Sequence, residues 1–176
     1  MKNDEKPYWW VVFPGSLGWF ALLGEKDRIK EVTFGHSSSR TAKNALSHDL
    51  LTQAQKTRTK QALVHRLQAY AKGAKKDDFL DIQLDLGCYS DFQRRVLSLC
   101  RKIPFGATLS YGQLAAKAGS PHAYRAVGGC MAGNKIPILI PCHRVVLANG
   151  SVGSYSAPGG MRTKKRLLEL ENHSMK

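Results

Sequence analysis

An apolar run, Ile136-Pro137-Ile138-Leu139-Ile140, stops at Pro141, and Cys142-His143-Arg144 follows at once, before a second apolar pair, Val145-Val146. A segment this apolar belongs in a core, yet a buried strand does not carry unpaired polar groups through its middle. Pro141 lacks the N–H that a strand ladder needs and biases Ile140 towards extended backbone. The segment is therefore expected to run extended, break at Pro141 and present Cys142 in a pocket. A thiol beside a histidine is the raw material of a nucleophile. Neighbours on an extended chain point to opposite sides, so direct contact between the Cys142 thiol and the His143 ring is not the natural geometry.

What that thiol meets is indicated by charge. The formal net charge is +14, and from Phe92 to Leu168 there is no Asp or Glu. The same stretch carries twelve cations: Arg94, Arg95, Arg101, Lys102, Lys117, Arg125, Lys135, Arg144, Arg162, Lys164, Lys165 and Arg166. So one-sided a field suits a polyanion, through contacts that release counterions and weaken with salt. The alternative is a basic protein with no fixed partner. Hydrophobic residues at 43% and charged residues at 23% of 176 fit one large or two small globular domains. No stretch approaches the apolar length of a membrane span, and Met1-Lys2-Asn3-Asp4-Glu5-Lys6 is not a signal peptide. A soluble, cytoplasmic chain is expected, nucleoid-associated in a prokaryote. The four cysteines, Cys88, Cys100, Cys130 and Cys142, form no C-x-x-C pair and no zinc-ligand spacing. Cys88, Cys100 and Cys130 read as packing residues.

The halves of the chain differ. Tyr8 to Phe13, Trp19 to Leu23 and Ile29 to Phe34 read as strands separated by turns. Residues 39–57 and 58–72 read as helices; in the second, Ala62, Leu63, Leu67 and Tyr70 recur at helical spacing. Gly73 to Asp78 is a polar connector, and Phe79 to Asp85 alternates as a half-buried strand does. Residues 1–86 are thus expected to form an α/β subdomain, a small antiparallel sheet with helices.

Residues 87–176 read as mostly helical. Ser90 or Asp91 caps a first helix, and Ser110 with Gln113 has capping-box spacing for a second. After the turn at Ala118-Gly119-Ser120-Pro121, a third helix runs from His122 to Gly133. Helices flanking such a turn form a helix-turn-helix. Lys164 to Leu170 closes the chain as a basic helix. The third helix, in the recognition position, holds Arg125 among Ala126, Val127, Gly128 and Gly129. Major-groove reading needs several long polar side chains, which are missing here. Two readings remain open at this point: a helix that sits close in a minor groove and inserts Arg125, or small residues that allow close helix packing.

Ile140-Pro141-Cys142-His143-Arg144-Val145 resembles the acceptor-cysteine signature of the O6-alkylguanine-DNA alkyltransferases. Pro104-Phe105-Gly106 with Ser110-Tyr111, Arg125-Ala126-Val127-Gly128, Asn134, and Gly153 through Tyr155 to Gly160 extend the resemblance over roughly residues 88–171. It implies a ribonuclease H-like N-terminal subdomain before a winged-helix-like DNA-binding and acceptor domain. It implies stoichiometric, irreversible transfer of an alkyl group from O6 of guanine, in double-stranded DNA bound through its minor groove, after the nucleotide is flipped out. Activity on O4 of thymine stays open. Cys142 is then the nucleophile, His143 its base through a water, and Glu171 the carboxylate that orients His143. Tyr111 hydrogen-bonds the base and delivers a proton, and Asn134 ties the recognition helix to the acceptor segment. Arg125, Tyr111, Ala126, Gly128 and Gln93 contact DNA, with Arg125 filling the vacated stack. Val145, Tyr155, Ser156 and Met131 shape the base pocket.

His143 and the positive surroundings are expected to lower the thiol pKa. A monomer is expected, with no cofactor. No zinc is expected, because the first domain lacks the cysteines through which some members bind it. Ala157-Pro158 makes the pocket loop longer than the commonest spacing, which bears on bulky adducts. A lesion sensor without transfer, a cysteine hydrolase and a helix-turn-helix regulator are the competing readings.

Overall fold

The computed structural model describes residues 6–74 and 76–173. The reading of Met1 to Glu5 and of Lys75 in the connector falls outside them. Three strands, β1 (Tyr8–Gly15), β2 (Gly18–Glu25) and β3 (Arg28–His36), form an antiparallel meander. Alternation sets its two faces. Val11 and Phe13 with Phe20 and Leu22 face the main core, while Trp10, Val12, Trp19, Ala21 and Leu23 face a smaller one. Gly24 is required where the strands crowd: a Cβ there would stand 2.4 Å from both the Arg28 carbonyl and the Trp9 ring.

The helix expected over 39–57 is instead three pieces: α1 (Ser39–Asn44), α2 (His48–Thr52) and β4 (Ala54–Lys56). β4 pairs parallel with β1, so the sheet has the order β3-β2-β1-β4 and is mixed rather than purely antiparallel. Glu31, buried in β3, accepts from the Ser47 backbone N–H at the break between α1 and α2. The next helix, α3 (Gln61–Ala71), buries Leu63, Leu67 and Tyr70 as its spacing requires.

Phe79 to Asp85 does not form the expected strand. Its backbone meets β3 only at an isolated bridge, Ile29 with Leu84. Phe79 takes a positive φ of 51° and is buried, and the Arg101 guanidinium donates to the Phe79, Leu80 and Ile82 carbonyls. Those carbonyls are therefore turned to a side chain instead of a neighbouring strand.

The second half holds α4 (Asp91–Arg101), α5 (Tyr111–Lys117) and α6 (Tyr124–Ala132), with α7 (Met161–His173) closing the described chain. Capping boxes at Ser90/Gln93 and Ser110/Gln113 start α4 and α5. A short parallel pair, β5 (Leu109–Ser110) with β6 (Val145–Val146), joins the helix-turn-helix to the Cys142 segment. This is the α/β-plus-helix-turn-helix fold expected from the sequence. One continuous apolar cluster, from Trp9 to Leu167, underlies both halves.

The opening segment also differs from expectation. Ile136–Ile140 is a tight turn, with Ile140 N–H bonded to the Ile136 carbonyl and Ile138 at a φ of 72°. Cys142–Arg144 is a single 3-10 turn, not extended chain. The extended run expected up to Pro141 does not form because the turn satisfies its own backbone, while β3 pairs with the residue before it, the Val32 N–H bonding the Lys135 carbonyl. Cys100 and Cys130 are buried as expected, whereas Cys88 is exposed.

Phe20 is fully buried and stacks between Phe13 and Phe34, with ring centroids 5.2 and 5.6 Å away. Phe20→Ala should cost about 3–5 kcal/mol, read as a lower denaturant midpoint with an unchanged slope. A loss below about 1 kcal/mol would contradict this account of the core.

Candidate active site

Cys142 opens the 3-10 turn and is 3% exposed. Its Sγ accepts from Asn134 Nδ2 at 3.1 Å. The same amide donates to the Ile140 carbonyl, and its Oδ1 accepts from the Ile136 N–H. Asn134, two residues past α6, thus ties the recognition helix, the tight turn and the thiol together. Above the thiol lies a cavity of about 200 Å³ lined by Tyr111, Gly128, Met131, Ala132, Cys142, Ser154, Tyr155 and Ser156. That is smaller than the roughly 300–1,000 Å³ typical of small-molecule pockets, and it suits one planar ring system. Its mouth widens into an apolar vestibule that includes Tyr124, Leu147 and Ala148.

Beneath the thiol is a buried charge cluster. His143 is fully buried, and its Nε2 lies 2.8 Å from Glu171 Oε1. Arg144, 2% exposed, donates through Nε and Nη2 to Glu171, and through Nη1 to Asp78 and the Ile103 carbonyl. The Tyr70 hydroxyl donates to Glu171 Oε1 at 2.6 Å, and the Gly106 N–H donates to Oε2 at 3.0 Å. Burial alone would raise the Glu171 pKa, but His143 and Arg144 hold it down at about 2. Glu171 is therefore an ionised, acceptor-only group, which requires the proton on His143 Nε2 and leaves Nδ1 bare in the neutral ring. Burial lowers the His143 pKa against the pull of Glu171, so the ring is neutral at neutral pH. Nδ1 is buried and has no hydrogen-bond partner among the described residues.

The thiol corrects an expectation. Burial pushes the Cys142 pKa up, and Asn134, Tyr155 and Lys164 only partly offset it. The positive surroundings do not leave a resting thiolate, because a buried sulfur loses more hydration than nearby dipoles and one cation return. The Tyr155 hydroxyl is buried and forms no well-made hydrogen bond.

Other expected site residues are placed as follows. Tyr111, at the first turn of α5, and Met131 and Gly128 of α6 reach the cavity. Val145 does not line it; its carbonyl accepts from Lys164 Nζ at 2.6 Å. Arg125 and Ala126 are exposed on α6, and the Arg125 guanidinium lies 5.7 Å from the Tyr124 ring centre. Gln93 is engaged in the capping box of α4, where its side-chain carbonyl accepts from the Ser90 N–H. Among the described residues, no group of three or more His, Cys, Asp and Glu side chains could hold a metal ion, and no helix is long and apolar enough to cross a membrane.

Three residues here were missed by sequence reasoning. Arg144 and Lys164 had been counted with the cations facing a polyanion, yet both are buried. Lys164 Nζ is 3.5 Å from the Tyr111 hydroxyl, and burial lowers its pKa. Tyr70 belongs to the other half of the chain and carried no local signal beyond its place in a helical stripe.

Two outcomes follow. Asn134→Ala removes the donor that steadies a thiolate, so the pH dependence of Cys142 alkylation by iodoacetamide should move to higher pH; an unmoved curve would contradict the assignment. Glu171 is depressed on folding from 4.5 to about 2. Its contribution to stability is therefore complete above about pH 4.5 and is lost as pH falls towards about 2. Glu171→Gln should cost about 3–5 kcal/mol at neutral pH, because Arg144 loses the buried carboxylate that faces its Nε and Nη2 and keeps only the half-exposed Asp78 carboxylate on Nη1. It should also flatten the melting temperature across that acid window; a wild-type slope retained in the variant would contradict the linkage.

Comparison with known proteins agrees with this geometry. The family model for the 6-O-methylguanine DNA methyltransferase DNA-binding domain matches residues 91–173. The human methylated-DNA–protein-cysteine methyltransferase is 55% identical over 85 residues, 48% of this chain and 40% of that protein. The Methanothermobacter thermautotrophicus protein of the same name is 41% identical over 114 residues, 64% of this chain and 61% of that one. The aligned region is thus less than two thirds of the length of these curated relatives. Among solved structures, Mycobacterium tuberculosis OGT in complex with DNA superposes with a TM-score of 0.77 at 33% identity, over 94% of both chains. The Mycobacterium tuberculosis O6-methylguanine methyltransferase gives 0.79 at 31%, over 95% of this chain and 94% of that one. A likeness that runs through both halves and includes the helix-turn-helix and acceptor segment places this chain in the O6-alkylguanine-DNA alkyltransferase family, the methylated-DNA–protein-cysteine methyltransferases.

Proposed function

We propose that this chain repairs DNA by moving the alkyl group from O6 of guanine onto Cys142, once per molecule. The observation that carries the reading is a buried, amide-held thiol at the floor of a small cavity, of a size for one planar base, beside α6. O6 lies inside the duplex, so the nucleotide must be extruded to reach that floor. In the transfer, the thiol proton passes through a water to His143 Nδ1. The S–C bond forms as the C–O6 bond breaks. The Tyr111 phenol gives a proton to the departing purine and regains one from solvent as His143 releases its own. The thioether that remains has no leaving group, so the molecule does not turn over. A raised thiol pKa fits this scheme, because the thiolate is then made at the moment of attack by a positioned base.

Double-stranded DNA is the proposed partner, bound by a monomer through the minor groove. The glycines of α6 support this. A Cβ built at Gly128 or Gly129 meets nothing within 4 Å, so neither is needed for packing within this chain. Their smallness leaves room for something outside it, and Arg125 on the same helix is free to enter the base stack. Residues 87–176 carry binding and transfer, and residues 1–86 support them.

Duplex DNA with one O6-methylguanine should add one methyl to the Cys142 peptide by mass, at most one per molecule. Unchanged mass with tight binding would favour a sensor, and methyl transfer surviving in Cys142→Ala would overturn the mechanism. Gly129→Ala should stabilise the fold by about 0.5–1 kcal/mol, whereas Gly128→Leu should weaken duplex binding with the fold intact. Equal binding by the Leu variant would remove α6 from the interface.

A further inference from the structure

We propose that Tyr70, from the N-terminal half, is a positioning residue that keeps His143 a neutral, proton-accepting base by occupying Glu171. This rests on the reading of Cys142 as acceptor and His143 as its base.

Glu171 Oε1 receives four donor groups from three residues: the Tyr70 hydroxyl at 2.6 Å, His143 Nε2 at 2.8 Å, and Arg144 Nη2 and Nε at 3.0 and 3.2 Å. A carboxylate oxygen has two lone pairs, so these donors compete. The more of its charge Glu171 spends on Tyr70, the less it stabilises an imidazolium at His143. An unopposed Glu171 would trap the proton on the ring, and a ring already protonated cannot take one from the thiol. Tyr70 suits the task because its phenol is neutral. It draws on the carboxylate without adding charge beside His143. Burial and the adjacent Glu171 push its own pKa well above the usual phenol value, so it stays a donor. Its aim is fixed on two sides by edge contacts with Phe79 and Phe105, at 5.8 and 6.0 Å between ring centres. Its oxygen stands 3.3 Å from His143 Nε2.

The remaining charges around the ring come from every packed element. α7 supplies Glu171 and Lys164, the 3-10 turn supplies Arg144, and Asp78 sits on the far side of Arg144. Arg144 and Lys164 both disfavour the imidazolium. Tyr70 acts in the same direction by a different route, and it is the member from the N-terminal half that touches Glu171 itself.

The test is single-turnover methyl transfer from saturating O6-methylguanine duplex, followed from acid to neutral pH in the full chain. In the wild type, the rate should fall at acid pH as His143 protonates. In Tyr70→Phe that limb should move up by about half to one pH unit, the shift equivalent to one modest hydrogen bond. Leu67→Ala, a buried deletion on the same helix, should lower the melting temperature and leave the limb in place. A limb that Tyr70→Phe leaves unmoved or moves down overturns the assignment, as does an equal shift in Leu67→Ala. A wild-type profile with no acid limb overturns the His143 base role itself, so the two failures are distinct.

Discussion

Glu171 is the point on which the site depends. It is one of two acids in this sequence after Asp91, and it is buried at 1% exposure. Burying a carboxylate is costly unless every lone pair finds a donor. Here the donors reach α7, which carries Glu171, from three places: α3 through Tyr70, the loop at Gly106, and the 3-10 turn through His143 and Arg144. Meeting that demand draws the N-terminal half onto the C-terminal half. It also fixes the tautomer of His143, because an ionised acceptor can face only the protonated nitrogen.

That constraint divides the labour around the thiol. Below, charge is concentrated in the buried His143, Arg144 and Glu171. Above, the cavity is lined by small and aromatic groups and opens to an apolar vestibule. Cys142 lies between them, held from the side by Asn134. Burial disfavours its thiolate, which makes the resting sulfur a poor target for casual oxidation or alkylation. In the proposed transfer, the chemistry rests on a base positioned in advance instead of on a permanently reactive anion.

The sequence was legible where structure is local. The strands of the meander, the capping boxes at Ser90 and Ser110, and the small-residue helix around Arg125 are written in neighbouring residues. Legibility failed where distant groups decide. Phe79 to Asp85 alternates like a strand, but Arg101 takes its carbonyls. Ile136 to Ile140 is apolar like a strand, but a turn satisfies its backbone. Arg144 and Lys164 look like surface cations until Glu171 and the Val145 carbonyl are brought to them. Tyr70 is 101 positions from Glu171, and no spacing rule reaches that far. The site chemistry itself was read through resemblance to a family; the residues alone gave a thiol, a basic field and a close-approaching helix.

The account turns on the protonation state of one ring. The 15N spectrum of His143 in the resting protein at neutral pH reads it directly. The structure predicts a neutral ring with its proton on Nε2 and a bare Nδ1. An imidazolium, or a ring protonated on Nδ1, would contradict it, since neither can take the proton from Cys142.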